Sequence, residues 1–160
     1  DTDRARLSRM GPRLERSGAA IIEPRLLDPG REREALADLV GVPDLILVDA
    51  PCSGTGTWRR NPELRWRLDP KRLAQYVKLQ AYLLDLAAEL IRPGGRILYS
   101  VCSLLAEEGR GQAEAFQGRS AMVEELGAMA GGRAAGPGRI LTPAADGTDG
   151  FFVARWRAPC

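Results

Sequence analysis

The sequence predicts an α/β fold: a mostly parallel sheet with helices on both faces and an antiparallel strand at its C-terminal edge. Three observations carry that prediction. Two apolar runs, Leu45-Ile46-Leu47-Val48 and Arg96-Ile97-Leu98-Tyr99, read as buried strands with a long amphipathic helix between them. Each run ends in a polar segment that holds a cysteine just past its carboxyl end, the edge where open α/β sheets bind ligands. Ile140-Leu141 and Phe151-Phe152-Val153-Ala154 read as a closing strand pair, joined through Asp146-Gly147-Thr148-Asp149-Gly150. Together these describe a Rossmann-like architecture.

The elements follow in order. Arg4–Ser17 keeps helical spacing at Leu7, Met10 and Leu14, and Gly18 is a helix stop. Ala20–Leu27 reads as a short strand, confined to an edge or a strand end by Pro24. Glu32–Val40 reads as one short helix. After the strand Leu45–Val48, residues 51–70 form a long loop rich in Gly, Pro and Arg. Asp69-Pro70 caps a helix from Lys71 to Arg92, whose buried face is Leu73, Val77, Gln80, Leu84, Ala87 and Ile91. Pro93-Gly94-Gly95 ends it before the strand Arg96–Ser100. Ala106–Phe116 is helical, and Gly127–Gly138 reads as a flexible connection. No Gly-rich strand-to-helix turn precedes Asp1, so the chain reads as a single domain, 1–160, incomplete at its N-terminus.

Composition narrows the chemistry. The 160 residues are 44% hydrophobic and 28% charged, ordinary for a globular domain. No apolar run reaches the roughly 20 residues that span a bilayer. A net charge of +2 is too small to argue for a nucleic-acid partner. The arginines are nonetheless clustered: Arg59, Arg60, Arg65 and Arg67 lie beside Trp58 and Trp66. Three widely spaced cysteines, Cys52, Cys102 and Cys160, resemble neither a disulfide framework nor a zinc site, which points to a reduced, cytoplasmic setting. With no histidine, the usual Ser-His and Cys-His mechanisms and the commonest metal ligand are excluded.

The first cysteine segment is Asp49-Ala50-Pro51-Cys52-Ser53-Gly54-Thr55-Gly56. A Gly-rich turn with Cys52 as a small buried hydrophobe would explain part of it. A phosphate loop would not, because the lysine is absent. The second is Tyr99-Ser100-Val101-Cys102-Ser103, followed by Leu104-Leu105-Ala106-Glu107-Glu108. Here Ser103 reads as a helix cap, with Glu107 and Glu108 in the first turn against the helix dipole. That leaves Cys102 unexplained. A thiol at a helix start has a lowered pKa and is the better nucleophile.

The two segments, their order, and Arg59-Arg60-Asn61-Pro62-Glu63 between them resemble the Sun-type RNA (cytosine-5)-methyltransferases of the RsmB/NOP family. The likeness runs from Asp1 to Gly147-Thr148-Asp149-Gly150-Phe151-Phe152. It implies a class I methyltransferase sheet, S-adenosylmethionine as cofactor, and RNA as partner, with ribosomal RNA ahead of transfer RNA. It makes Cys102 the nucleophile toward carbon 6 of cytosine and Cys52 the thiol that assists release. Asp49 would hold the amino edge of the base, beside the cofactor, and Pro51 would wall the base. Arg59 and Arg60 become RNA contacts. Asp1 matches the acidic residue at the ribose hydroxyls and Asp28 the one at adenine. No membrane and no metal is implied.

The family's Pro-Gly-Gly-Lys-Thr-type cofactor loop, and the strand leading into it, have no counterpart in the 160 residues. Asp1 would then sit at a frayed end. Two other readings stay open at this point: an inactive RNA-binding fragment of such an enzyme, and a thiol redox protein using Cys52 and Cys102.

Overall fold

The computed structural model describes residues 1–125 and 131–160. The chain divides into two units, Asp1–Leu39 and Val40–Cys160.

In the first unit, helix α1 (Arg4–Ser17) starts at Asp3, whose carboxylate accepts the Arg6 N–H, and stops at Gly18 with φ 67°. The left-handed turn there suits a residue without Cβ. Ala20–Leu27 forms no strand: Ala20 and Ile21 are in a turn and the rest has no regular structure. It pairs instead with the chain start: the Asp1 ammonium donates to Arg25 O and the Leu27 N–H donates to Asp1 O. Pro24 has no N–H to give a longer ladder. Asp1 is therefore tied down rather than frayed. The predicted helix 32–40 splits into α2 (Glu32–Ala35) and a 3₁₀ turn at Ala37–Leu39, because Leu36 leaves helical geometry at φ −115° and ψ 11°.

The second unit holds the sheet. Strand β1 is Leu45–Asp49. The following loop is more ordered than its composition predicts, with 3₁₀ turns at Thr55–Thr57 and Pro62–Arg67. Helix α3 (Pro70–Leu90) is capped by Asp69, which accepts the Arg72 N–H. Then come β2 (Arg96–Val101), α4 (Arg110–Arg119), β3 (Val123–Glu124), β4 (Arg133–Ala134), β5 (Gly138–Leu141), α5 (Pro143–Asp146) and β6 (Phe151–Arg157). In the predicted connection Gly127–Gly138, residues 127–130 lie outside the described residues, and β4 and the start of β5 occupy part of the remainder.

The strand order is β1-β2-β6-β5-β4, with β3 also on β6. The α/β class and the antiparallel C-terminal strand are as the sequence predicts. The balance differs: among the described strands β1 and β2 pair parallel, and the other four pairings are antiparallel. The reason is β6, whose seven residues run between β2 and β5 and are long enough to bind β3 as well.

The core forms where β2 and β6 lie side by side inside the sheet. Ile97, Tyr99 and Val101 stand opposite Trp156, Ala154 and Phe152, and Leu84, Ala87 and Phe116 belong to the same core. Phe116 meets the Trp156 ring edge-on at 4.9 Å. By contrast β1, read as a buried strand, is the sheet's edge, and Leu45 and Leu47 are exposed. On α3 the buried stripe matches at Gln80, Leu84 and Ala87, while Leu73 and Val77 are half-buried.

Candidate active site

Parallel pairing of β1 and β2 builds the site. The register sets Asp49 beside Ser100, and the Ala50 N–H extends the ladder to Ser100 O at 3.0 Å. Both chains then leave the sheet at the same edge, so Cys52 and Cys102 arrive together. Their sulfurs are 3.4 Å apart, and both side chains are half-buried.

Glycines let the two loops close on each other. Gly54 takes φ 70°. The Gly56 N–H donates to Cys102 O at 3.1 Å, and Gly56 O accepts the Gly150 N–H at 2.8 Å. A Cβ on Gly56 would lie 2.0 Å from Gly150 O, closer than any atom can come. The second cysteine loop thus touches the first, and the first touches the loop before β6.

Beneath the thiols lies a buried polar network centred on Glu108, whose side chain is fully inaccessible. Its carboxylate accepts from the Ser53 N–H (2.8 Å), the Ser103 hydroxyl (2.6 Å), Gln80 Nε2 (3.1 Å) and the Ser53 hydroxyl. Gln80 Nε2 also donates to Pro51 O at 2.9 Å. The Thr55 hydroxyl accepts the Leu104 N–H and lies 3.1 Å from Ser103 Oγ. The Tyr99 hydroxyl donates to Glu108 O.

Sequence reasoning placed Ser103 as a cap and Glu108 in a helical first turn. The structure corrects both. Helix α4 begins only at Arg110, after Gly109, which makes no side-chain cap. Ser103 Oγ does accept a backbone N–H, from Leu105, within a turn rather than a helix. One signal was available: a capping box needs its acid three residues after the serine, and here the acids fall four and five residues on.

The thiols are electrostatically unequal. Cys102 is lowered from 9.0 to about 7, first because the Cys52 thiol donates to it and then because a backbone N–H faces it; burial, Asp49 and Glu108 act the other way. Cys52 is pushed far up, by that same hydrogen bond, by burial and by the negative charge of Cys102. The lowered thiol is the one expected, but its cause is the other thiol, not a helix start.

Above the thiols, Asp49 and Pro51 are exposed. Arg59 and Arg60 are exposed and both turn to Asp149, whose side chain is nearly buried. Arg60 binds one Asp149 oxygen through Nε at 2.7 Å, and Arg59 lies 3.7 Å from the other. Arg60 holds the Asp149 carboxyl below the usual range by that hydrogen bond. Asp149 is a partner that sequence reasoning missed. It also missed a cavity of about 140 Å³ beside Cys52, lined by Ser53, Leu64, Arg67, Arg72 and Tyr76. Trp66 is largely exposed, with the Arg65 guanidinium 4.3 Å from its ring centre.

The candidate cofactor aspartates fall in both units. Asp1 and Asp28 belong to the first, and Asp49 to the second. Asp1 accepts the Asp3 N–H at 2.9 Å and pairs with Arg6 at 3.1 Å. Asp28 lines a cavity of about 230 Å³ with Leu26, Arg31, Glu34 and Ala35. Among the described residues, no cluster of three or more His, Cys, Asp or Glu could hold a metal ion. Nor is any helix long and apolar enough to cross a membrane.

Two thiols of unequal acidity thus meet where the parallel pair β1–β2 leaves the sheet, and the chain that carries them is similar to known proteins along nearly its whole length. The family model of 16S rRNA methyltransferase RsmB/F matches residues 1–157. The ribosomal RNA small subunit methyltransferase B of Salmonella arizonae is 37% identical over 97% of this chain and 35% of its own length. That of Xanthomonas campestris pv. campestris is 39% identical over 96% and 35%. The crystal structure of NSun6 from Pyrococcus horikoshii with SFG superimposes with a TM-score of 0.81 at 28% identity, over 98% of this chain and 40% of that one. The chain belongs to the RsmB/F methyltransferase family. It spans about a third of the length of the curated relatives it matches.

Proposed function

We propose that this chain carries the reacting residues of an S-adenosylmethionine-dependent RNA (cytosine-5)-methyltransferase acting on ribosomal RNA in the cytoplasm. The observation that carries the reading is the 3.4 Å contact between two thiols of opposite protonation tendency at the sheet edge. Membership in a family of 16S rRNA methyltransferases supports the RNA substrate. SFG, the molecule in the NSun6 neighbour, is an analogue of S-adenosylmethionine and supports the cofactor.

Carbon 5 of cytosine is a poor nucleophile. The Cys102 thiolate adds to carbon 6, forming a C–S bond and moving electron density to carbon 5. Asp49 accepts from the amino group of the base and holds it in place, with Pro51 alongside. S-adenosylmethionine, when bound, supplies the methyl group that carbon 5 takes up. Cys52 then removes the proton from carbon 5, the double bond re-forms, and Cys102 leaves as the thiolate.

The coupling of the two thiols gives this order a physical basis. While Cys102 is a free thiolate, its hydrogen bond and charge hold the proton on Cys52. Once Cys102 becomes a neutral thioether, its hydrogen bond and charge no longer act, and burial and Glu108 are what still raise Cys52. Cys52 can then lose its proton to solvent and act as the base when a base is needed.

For the cofactor, carboxylates accept from ribose hydroxyls and from the adenine amino group. Asp1 and Asp28 have that chemistry, and Asp28 borders open space. The sulfur contact also fits dithiol redox chemistry, but Asp49 and the arginine loop have no part in that reading.

The test is a chimera in which this chain replaces the matching segment of the Xanthomonas campestris relative, given 16S rRNA and a methyl-labelled cofactor. Label at carbon 5 of cytosine that disappears in Cys102→Ala is the expected result. Label on another atom, or label that survives Cys102→Ala, contradicts the proposal.

A further inference from the structure

Glu108 has no part in the chemistry above, and it is an expensive residue to bury. A carboxylate removed from water is stable only where hydrogen bonds replace its hydration, and an apolar side chain of similar size would fill the space at lower cost. Its four donors come from three places. Ser53, the residue after Cys52, gives its backbone N–H and hydroxyl. Ser103, the residue after Cys102, gives its hydroxyl. Gln80 of α3 gives its amide while also holding Pro51 O. The Glu108 backbone is anchored in turn by Tyr99 of β2.

We propose that Glu108 is a positioning residue: it clamps the segment after each cysteine to one carboxylate and so keeps the two sulfurs in contact. The role rests on the methyltransferase reading for its purpose, but its physical content does not need that reading. Sulfur contact depends on steep distance terms, so a shift of an ångström or two between the loops breaks the S–H···S hydrogen bond. The lowered pKa of Cys102 follows from that bond. The titratable and charged groups facing Cys102 are the Cys52 thiol, Asp49, Glu108 and Arg60. Clamp and charge therefore act on Cys102 with opposite signs. Removing the Glu108 charge alone lowers its pKa further, whereas removing the clamp raises it.

The experiment is the pH profile of alkylation by iodoacetamide, read at Cys102 by peptide mass spectrometry in the intact 160-residue chain with no RNA or cofactor. In Glu108→Ala the midpoint moves from about 7 toward 9.0. Alkylation at pH 7 slows roughly fivefold, the loss of thiolate being partly offset by its greater nucleophilicity. Ser103→Ala, which cuts the Cys102 arm together with the Ser103 contacts to the Leu105 N–H and the Ser53 and Thr55 hydroxyls, gives a rise in the same direction and serves if Glu108→Ala does not fold. Glu108→Gln keeps the shape and drops the charge: its Oε1 accepts from the Ser53 N–H and Gln80 Nε2, its Nε2 donates to the Ser53 and Ser103 hydroxyls, and the midpoint stays at or below that of the parent. If the folded alanine variants titrate like the parent, or if Glu108→Gln rises as much as Glu108→Ala, the clamp is overturned. Methyl transfer by the chimera is a separate readout, so either proposal can fail while the other stands.

Discussion

The thiol pair sits between two polar regions that work differently. Below it, Glu108, Ser53, Ser103 and Gln80 are buried, and their hydrogen bonds join the loops that follow β1 and β2 to each other and to α3. Above it, Arg59 and Arg60 reach across exposed surface to Asp149. Both regions link the first cysteine loop to another segment. The buried links lie where breaking one leaves a group without water, which makes them costly to lose. On these links the arginine ends are exposed to solvent while the Asp149 side chain is nearly buried, and on the proposed function the arginines would exchange Asp149 for phosphate.

That contrast can be broken from its rigid side first. Gly56→Ala forces a methyl into Gly150 O, a backbone atom that cannot rotate away. We expect a loss of about 3 kcal/mol in urea unfolding, at the upper end for overpacking. Gln80→Leu removes the brace to Pro51 and Glu108, but it also removes a buried Oε1 that has no hydrogen-bond partner. The expected net loss is therefore smaller, about 1 kcal/mol in the same measurement.

On the exposed side the effects shrink further. Arg60 lowers the Asp149 pKa, so this pair stabilises the fold above 3.8, the ordinary value, and the contribution is lost as pH falls through the lower folded value. Arg60→Ala should flatten that acid limb, and NMR titration should find Asp149 nearer 3.8. An unchanged Asp149 would show that the pair does not form in solution. The smallest effect belongs to Arg59→Ala. It should leave unfolding unchanged and reduce the salt dependence of single-stranded RNA binding by roughly 0.7 in log–log slope, the value for one phosphate contact.

The legibility of the sequence follows the same division. Local signals were readable: Gly18 stops α1, Asp69 starts α3, and the two cysteine segments leave the strand ends where expected. Long-range placement was not. Leu45-Ile46-Leu47-Val48 has the apolar content of a buried strand, and among the described strands of a chain that spans about a third of its relatives' length it lies at the end of the sheet. The insertion of β6 beside β2 is likewise a pairing between residues some 55 positions apart. Glu108 was misread because a carboxylate near a predicted helix start is ordinarily a dipole partner. Only the folded chain shows that it reaches Ser53, across 55 residues of sequence.

The division of labour between the thiols is the central claim, and covalent trapping tests it most directly. The chimera, carrying either Cys52→Ala or Cys102→Ala, is incubated with target RNA and S-adenosylmethionine and run on a denaturing gel. With Cys102 intact and Cys52 absent, addition and methyl transfer proceed but the carbon 5 proton stays. A protein–RNA adduct should therefore accumulate in Cys52→Ala and be absent in Cys102→Ala. An adduct in Cys102→Ala with none in Cys52→Ala would reverse the two roles and contradict the account.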